Sequence, residues 1–547
     1  MPGSIGRSVQ DSPTVHTMHR ALHIPDILQH ILSYFDWNDN PFREDRETLR
    51  SCTLVSRAIS DCALAILWKT LRNLRPLYAL MLTTKVGATT GLLPASHKKP
   101  SGIYFEYGDP FKTWQRLQYY ASFVVHLTVT HNDPEGMTAL CRYARQFGHG
   151  KALFYSLRHL RWAVGPFTPF ATCQFLLLSP SLCSLRISIH SLDEFSQNVA
   201  LYGDQPVFQT IARRAPHLEE LQVGGLNSLL YLEPIANLAQ LRAIELNNCV
   251  VDSLLFHALA PLATVKDVKI VIRSVDLAEG EVYHLPSIHS LSLQGTASCI
   301  KACMSGMNLA YLRALRLTLP VTTSPVECSQ VLDLLLKLDL PLLVGIRLTL
   351  RTRYDLAEWD NSQAIHHLED YIRALFPMHQ LEEVCIDAYH LPLRLSTAVM
   401  KSMAAAWPML RGLALRYLPQ SQFSPPTPAT LLDLAQYLPG LQTLALSHLD
   451  ITRIPATIDL HHLHHLPSNG LRHLSVEIRG MVTRVSDFAQ FLNTLHPQLR
   501  ATGTLTGQTS TWPSWLQIPR NNSTEVWRCK IDLPSPLDNA LLSLTSV

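Results

Sequence analysis

The run Leu241-Arg242-Ala243-Ile244-Glu245-Leu246-Asn247-Asn248-Cys249 places apolar residues at its first, fourth and sixth positions. The same spacing returns at Leu157/Leu160/Trp162, Leu182/Leu185/Ile187, Leu218/Leu221/Val223, Val265/Val268/Ile270 and Ile288/Leu291/Leu293. It continues at Leu312/Leu315/Leu317, Leu343/Ile346/Leu348, Leu381/Val384/Ile386, Leu410/Leu413/Leu415, Leu441/Leu444/Leu446 and Leu471/Leu474/Val476, with a looser copy at Val124/Leu127/Val129. Self-similarity at steps of 23 to 38 residues is the mark of a stacked-repeat architecture, because one unit alone cannot bury its own apolar face.

The pattern is that of leucine-rich repeats, each a short strand followed by a variable crossing and a returning helix. Side chains alternate along a strand, so the fourth and sixth positions face the core and the residues between them face outward. Parallel stacking then buries columns of leucine. A proline often precedes the motif, as in Pro216-His217-Leu218, Pro286-Ser287-Ile288, Pro408-Met409-Leu410 and Pro439-Gly440-Leu441. Proline ends the helix and favours extended backbone before it, which sets the helix-to-strand corner at one point in each unit.

Such a scaffold offers a surface rather than a catalytic cleft. The outward positions expected to contact a target are Glu220, Gln222, Glu245, Asn247, Asp267, Lys269, Arg316, Arg347, Arg416, His473 and Glu477. The early strands are rich in acids, and the three arginines make the later ones basic. This bipolar face would steer a partner of complementary charge. Long units between Leu182 and Leu218 and between Leu343 and Leu381 carry extra residues, including 200–205 and 352–361. Insertions of this kind form loops on one face of a solenoid.

Ahead of the repeats lies a helical segment. Pro25 and Asp26 suit a first helical turn, and Ile27, Leu28, Ile31, Leu32 and Phe35 form one apolar stripe. A second helix is expected to carry Leu49, Cys52, Leu54 and Val55, and a third Ile59, Ala63, Ile66 and Leu67, followed by Trp68. Fewer than about 60 residues make a small core, so a partner or the rest of the chain must cover part of the surface.

Ile24-Pro25-Asp26-Ile27-Leu28 with Ile31-Leu32, then Leu54-Val55-Ser56-Arg57, then Leu67-Trp68 resemble the opening, middle and closing segments of an F-box. Together with Trp114-Gln115-Arg116-Leu117, Tyr120-Ala121 and the repeats, the order resembles the F-box/leucine-rich-repeat families of mushroom-forming fungi. The resemblance implies an α/β fold, a three-helix F-box followed by a solenoid with a parallel concave sheet and outer helices. It also implies a role as substrate receptor of a Skp–cullin–F-box ubiquitin ligase. Ile24, Pro25, Asp26, Ile27, Leu28, Ile31, Leu32, Leu54, Val55, Ser56, Arg57, Leu67 and Trp68 would dock the Skp-type adaptor, and through it a cullin–RING assembly. The repeats would hold an unknown target protein. The alternative is a leucine-rich-repeat interaction scaffold whose F-box does not engage a ligase. The expected division is a disordered tail 1–21, F-box 22–82, linker 83–108, repeats 109–500 and a C-terminal cap 501–547.

Composition agrees with a non-catalytic protein working without cofactor. A net charge of +3 argues against nucleic acid as partner. No apolar run approaches the roughly 18 residues of a membrane span, and the first twenty residues hold no secretory core. The eleven cysteines include no CxxC pair and read as buried thiols of a reducing compartment, so cytoplasm or nucleus is expected and the sequons at Asn521 and Asn522 would stay unmodified. GxSxG, HExxH and GxGxxG are absent, and the GATTG stretch lacks the Gly-Lys ending of a phosphate loop. Asp36, Asn38, Asn40 and Glu47 echo a calcium loop, but Pro41 stands where such a loop needs glycine. His461-His462-Leu463-His464-His465 reads as the polar face of a repeat helix, as does His366-His367.

Overall fold

The computed structural model describes residues 24–35, 43–82, 109–130, 134–148, 151–164, 170–189, 207–224, 232–278, 280–320, 322–338, 340–351, 366–418, 426–451, 471–479, 488, 491–492, 495 and 527–529. The tail 1–21, the linker 83–108, the insertions 200–205 and 352–361, residues 36–42 of the acidic loop, the His461–His465 cluster and the sequons lie outside them. The chain divides into two compact units, Met1–Arg186 and Ile187–Val547.

The first unit opens with α1 (Pro25–Ser33), α2 (Arg43–Cys52) and α3 (Arg57–Lys69). Pro25 sits in the first turn of α1 with Asp26 beside it. Leu32, Leu49, Ala63 and Ile66 form the core of this helical module, with Phe35, Cys52, Ile59, Cys62 and Leu67 packed around it. The second helix is shorter than expected. It stops at Cys52, because Ser56 caps α3, its side chain accepting from the Ile59 amide. Leu54 and Val55 therefore lie in the intervening turn, closed by Leu54 N donating to Ser51 O and Val55 N to Cys52 O.

The end of α3 becomes strand β1 (Thr70–Leu71), which pairs in parallel with β2 (His126–Val129), Leu71 opposite Leu127. Between them come α4 (Arg75–Leu82) and α5 (Pro110–Ala121). Asp109 caps α5 by accepting from the Phe111 and Lys112 amides, and Trp114, Leu117 and Ala121 are buried as the amphipathic pattern predicts. Next follow α6 (Pro134–Phe147), β3 (His159–Val164), α7 (Phe170–Leu177) and β4 (Ser184–Ile189), with β1, β2, β3 and β4 adjacent in that order. Tyr119 Oη donates to Asp61 Oδ1 at 3.0 Å, and Tyr120 packs on Trp68 with centroids 4.6 Å apart. The helical module is thus joined to the first repeat strand by a β-pairing and by two side-chain contacts from α5.

In the second unit each motif copy forms a parallel strand, and three two-residue strands lie among them. In order they are β5 (Glu220–Gly224), β6 (Ala243–Asp252), β7 (Asp267–Asp276), β8 (Tyr283–His284), β9 (Ser290–Gln294), β10 (Met307–Asn308), β11 (Ala314–Pro320), β12 (Gly345–Arg351), β13 (His366–His367), β14 (Glu383–Arg394), β15 (Gly412–Leu418), β16 (Thr443–Asp450) and β17 (His473–Arg479). The main sheet runs β5-β6-β7-β9-β11-β12-β14-β15-β16-β17. Outside it, β8 pairs β10 and β13 pairs β14. Strand β18 (Trp527–Cys529) pairs antiparallel along the edge of β17.

The stacking repeats one register. Leu221, Ile244, Val268, Leu291, Leu315, Ile346, Val384, Leu413, Leu444 and Leu474 form a single file, and Val223, Leu246, Ile270, Leu293, Leu317, Leu348, Ile386, Leu415, Leu446 and Val476 form the next. Each buried side chain of this kind contributes about 1.5–3 kcal/mol. A slip by one residue would turn a whole file outward, so the register is strongly specified. The corner before each strand is also constant: the first motif residue donates its amide to the carbonyl three residues back. Leu218→Ala215, Leu241→Leu238, Ile288→Leu285, Leu312→Leu309, Leu410→Trp407 and Leu441→Leu438 all do so at 3.0–3.4 Å.

Two units depart from the expected strand-and-helix plan. A short 3-10 helix, Glu233–Asn237, follows β5, and β8 replaces a helix after β7. That short connection holds Gly280 at a φ of 87°, a conformation a right-handed helix does not contain. At the clearest motif copy, Asn248 takes a φ of 58° where the β6–β7 register shifts between Asn247 and Cys249. Asparagine tolerates that geometry better than most residues. Cys249 then turns inward and is buried.

Candidate interaction surfaces

The first surface is on the helical module. The α1 stripe splits. Leu28 and Leu32 point into the module and are buried, whereas Ile24, Ile27, Ile31 and Tyr34 stay exposed. Leu54 and Val55 in the α2–α3 turn are the most uncovered aliphatic pair of the module. Of the other residues expected to dock an adaptor, Pro25 and Asp26 open α1, Ser56 caps α3 and Arg57 is exposed beside it. Leu67 packs on the core, and Trp68 is half-buried against Tyr120. Five aliphatic side chains and one tyrosine therefore remain open to a partner, and Leu28, Leu32 and Leu67 are committed to the fold.

The second surface is the outward sheet face of the second unit. Register places Gln222, Glu245, Lys269, Ser292, Arg316 and Arg347 in one row. Glu245 is already engaged: Lys269 Nζ lies 2.7 Å from its Oε1 and Asn247 donates to the same oxygen at 3.1 Å. Arg316 and Arg347 are direct neighbours on β11 and β12, both half-buried. The row then changes character, continuing as Cys385, Ala414 and Ala445, all buried. Arg416 is exposed one row further along its strand, next to Asp387 on β14.

Glu220 and Asp267 share the adjoining row with Glu383 and His473. Burial pushes the Asp267 carboxyl up, opposed by a hydrogen bond from Ser290 and by His289 and Lys266. Burial also pushes Glu383 up, with Glu382 adding and Arg347 opposing. Glu477 pairs with Arg528 across β17 and β18; its side chain lies outside the description. The expected division into acidic early and basic later strands is interrupted by Glu383 and Asp387 on β14 and by the Lys269–Glu245 pair.

Sequence reading passed over a third surface, the outward face of β2–β4. His126 and His159 are in register, their rings stacked 4.4 Å apart at an interplanar angle of 8°. Thr128 stands opposite Arg161. The amides of Cys183 and Ser184 both donate to Arg158 O, as those of Arg158 and His159 do to Val125 O. The repeated pattern sets Ser184 beside His159 and Arg186 beside Arg161. The signal was present: the same between-leucine positions of the first three motif copies hold these residues.

Among the described residues no group of three or more His, Cys, Asp or Glu is placed to hold a metal ion, and no helix is long and apolar enough to cross a membrane. Ten described cysteines are free thiols. Burial drives those of Cys249 and Cys328 up to about 12, which keeps them protonated and inert.

No protein-family profile matches the chain, and no curated protein matches it. Solved structures similar to it include a leucine-rich-repeat protein of Leptospira interrogans, at 14% identity and a TM-score of 0.30, covering 71% of this chain and 85% of that one. The structure of a Rad7–Elc1 complex in yeast is similar over 69% of this chain and 79% of that one, at 12% identity and a TM-score of 0.29. A Bacteroides fragilis protein is similar over 56% and 76%, at 12% identity and a TM-score of 0.27. At these scores none of the three bears on what the chain binds.

Proposed function

We propose that the chain is the target-binding subunit of a Skp–cullin–F-box ubiquitin ligase. The carrying observation is that Ile24, Ile27, Ile31, Tyr34, Leu54 and Val55 are all exposed on one three-helix module. Apolar side chains concentrated on one small module mark an interaction site when they form a contiguous patch. An apolar groove on a Skp-type adaptor is the occupant that the F-box-like residues call for. Within the first unit, β1–β2 pairing, Tyr119–Asp61 and Trp68–Tyr120 tie this module to the first repeat strand. Such a tie transmits position: a target held on the first repeat strands is presented at a defined place relative to the adaptor, and proximity is what the receptor supplies to the reaction. The chain itself performs no chemistry in this reading, needs no cofactor and works in the cytoplasm or nucleus.

The test is co-purification of the full chain with a Skp-type adaptor at micromolar concentration. A stoichiometric complex supports the proposal. Absence of a complex leaves a leucine-rich-repeat interaction scaffold with no ligase attachment.

A further inference from the structure

We propose that the outward face of β2–β4 binds an extended, acidic (Asp/Glu-rich) segment of a partner protein. The inference rests on the reading of the repeats as a binding surface and is independent of adaptor docking. His126 and His159 form one row on this face, and Arg161 and Arg186 lie one step further along the strands. Arg161 and His159 are exposed, and His126 and Arg186 half-buried. Thr128 and Ser184 add hydroxyl donors to the same two rows. The three strands that build this face, 126–129, 159–164 and 184–189, contain no Asp or Glu. The Lys269–Glu245 pair on the outward face of the second unit shows the contrast: there an acid one strand away answers the cation, and here none is provided by β2, β3 or β4.

Geometry selects the occupant. Neighbouring strands lie about 4.8 Å apart and alternate residues about 6.6 Å apart. Carboxylates at alternate positions of an extended chain share that second spacing, so one such chain meets both rows. A lone inorganic anion reaches only one. Guanidinium groups pair with carboxylates through charge-assisted hydrogen bonds.

The experiment measures binding of a fluorescent twelve-residue peptide of alternating Glu and Thr to the full chain by anisotropy. A Lys/Thr peptide, inorganic phosphate as competitor and a single-stranded oligonucleotide of twelve nucleotides serve as the other arms. The expected result is salt-sensitive binding of the Glu/Thr peptide alone, at least about tenfold weaker for Arg161→Glu/Arg186→Glu and intermediate for Arg161→Gln/Arg186→Gln. Circular dichroism and adaptor co-purification should match the parent for both variants, which separates this surface from the docking module. No binding of the Glu/Thr peptide at millimolar concentration, equal binding by both variants, full displacement by phosphate at equimolar level, or tighter binding of the oligonucleotide would each overturn the assignment.

Discussion

Replacing Leu54 and Val55 together by aspartate should abolish adaptor capture while leaving the fold intact. Leu54 is 87% exposed and Val55 65% exposed, in a turn whose own contacts are backbone hydrogen bonds. Full burial of an aliphatic side chain contributes about 1.5–3 kcal/mol. Scaling by the exposed fractions gives about 2.3–4.6 kcal/mol for the pair if an adaptor covers them. That is an affinity loss of roughly 40- to 2,000-fold, and burial of two unpaired carboxylates adds to it. Calorimetric titration of the full chain with purified adaptor reads the loss, and a thermal melt checks that folding is unaffected. Binding within about threefold of the parent would refute the docking face. The matching control is Leu28→Asp: Leu28 is buried within the module, so this change should lower stability as well as binding.

Three further outcomes follow from the packing. Leu246→Ala, in a file flanked by Val223 and Ile270, should cost about 2–5 kcal/mol in denaturant unfolding; Leu254→Ala, on the exposed side of the helix Ser253–Leu259 that follows β6, should stay within about 0.5 kcal/mol. Tyr119→Phe removes the hydroxyl that donates to Asp61 and should cost about 0.5–1 kcal/mol because the pair is exposed, read as faster amide exchange in α3 and β1. Glu383→Gln should raise the melting temperature at pH 7–8 and change it little near pH 4. Burial holds the folded carboxyl above its ordinary range, so the native state binds the proton more tightly and stability falls as pH rises from the ordinary value through the raised one; an identical shift at both pH values would refute this.

Much of the fold was legible because its signal is local. The leucine spacing and the proline at the corner each act within a few residues, and both appear in the structure at the predicted place. The second helix is shorter than its pattern predicts for an equally local reason: Ser56 is the cap of α3, and α2 ends at Cys52, two residues before Leu54. The split of the α1 stripe is different. Ile27 and Leu28 are equally apolar, and only packing against α2 and α3 decides that Leu28 is core and Ile27 is surface.

The sequence by itself determined that this is a repeat stack with a helical module ahead of it, since period and capping are written in adjacent residues. The tertiary structure decided which charges face one another. Lys269 and Glu245 are 24 residues apart, and His126 and His159 come from different repeats. Register across strands pairs the first two into a neutral contact and stacks the second two beside arginines that the strands leave unanswered. Spacing along the chain carries no such information, because the variable connection between repeats sets the number of residues while the hydrogen-bonded sheet sets the neighbour.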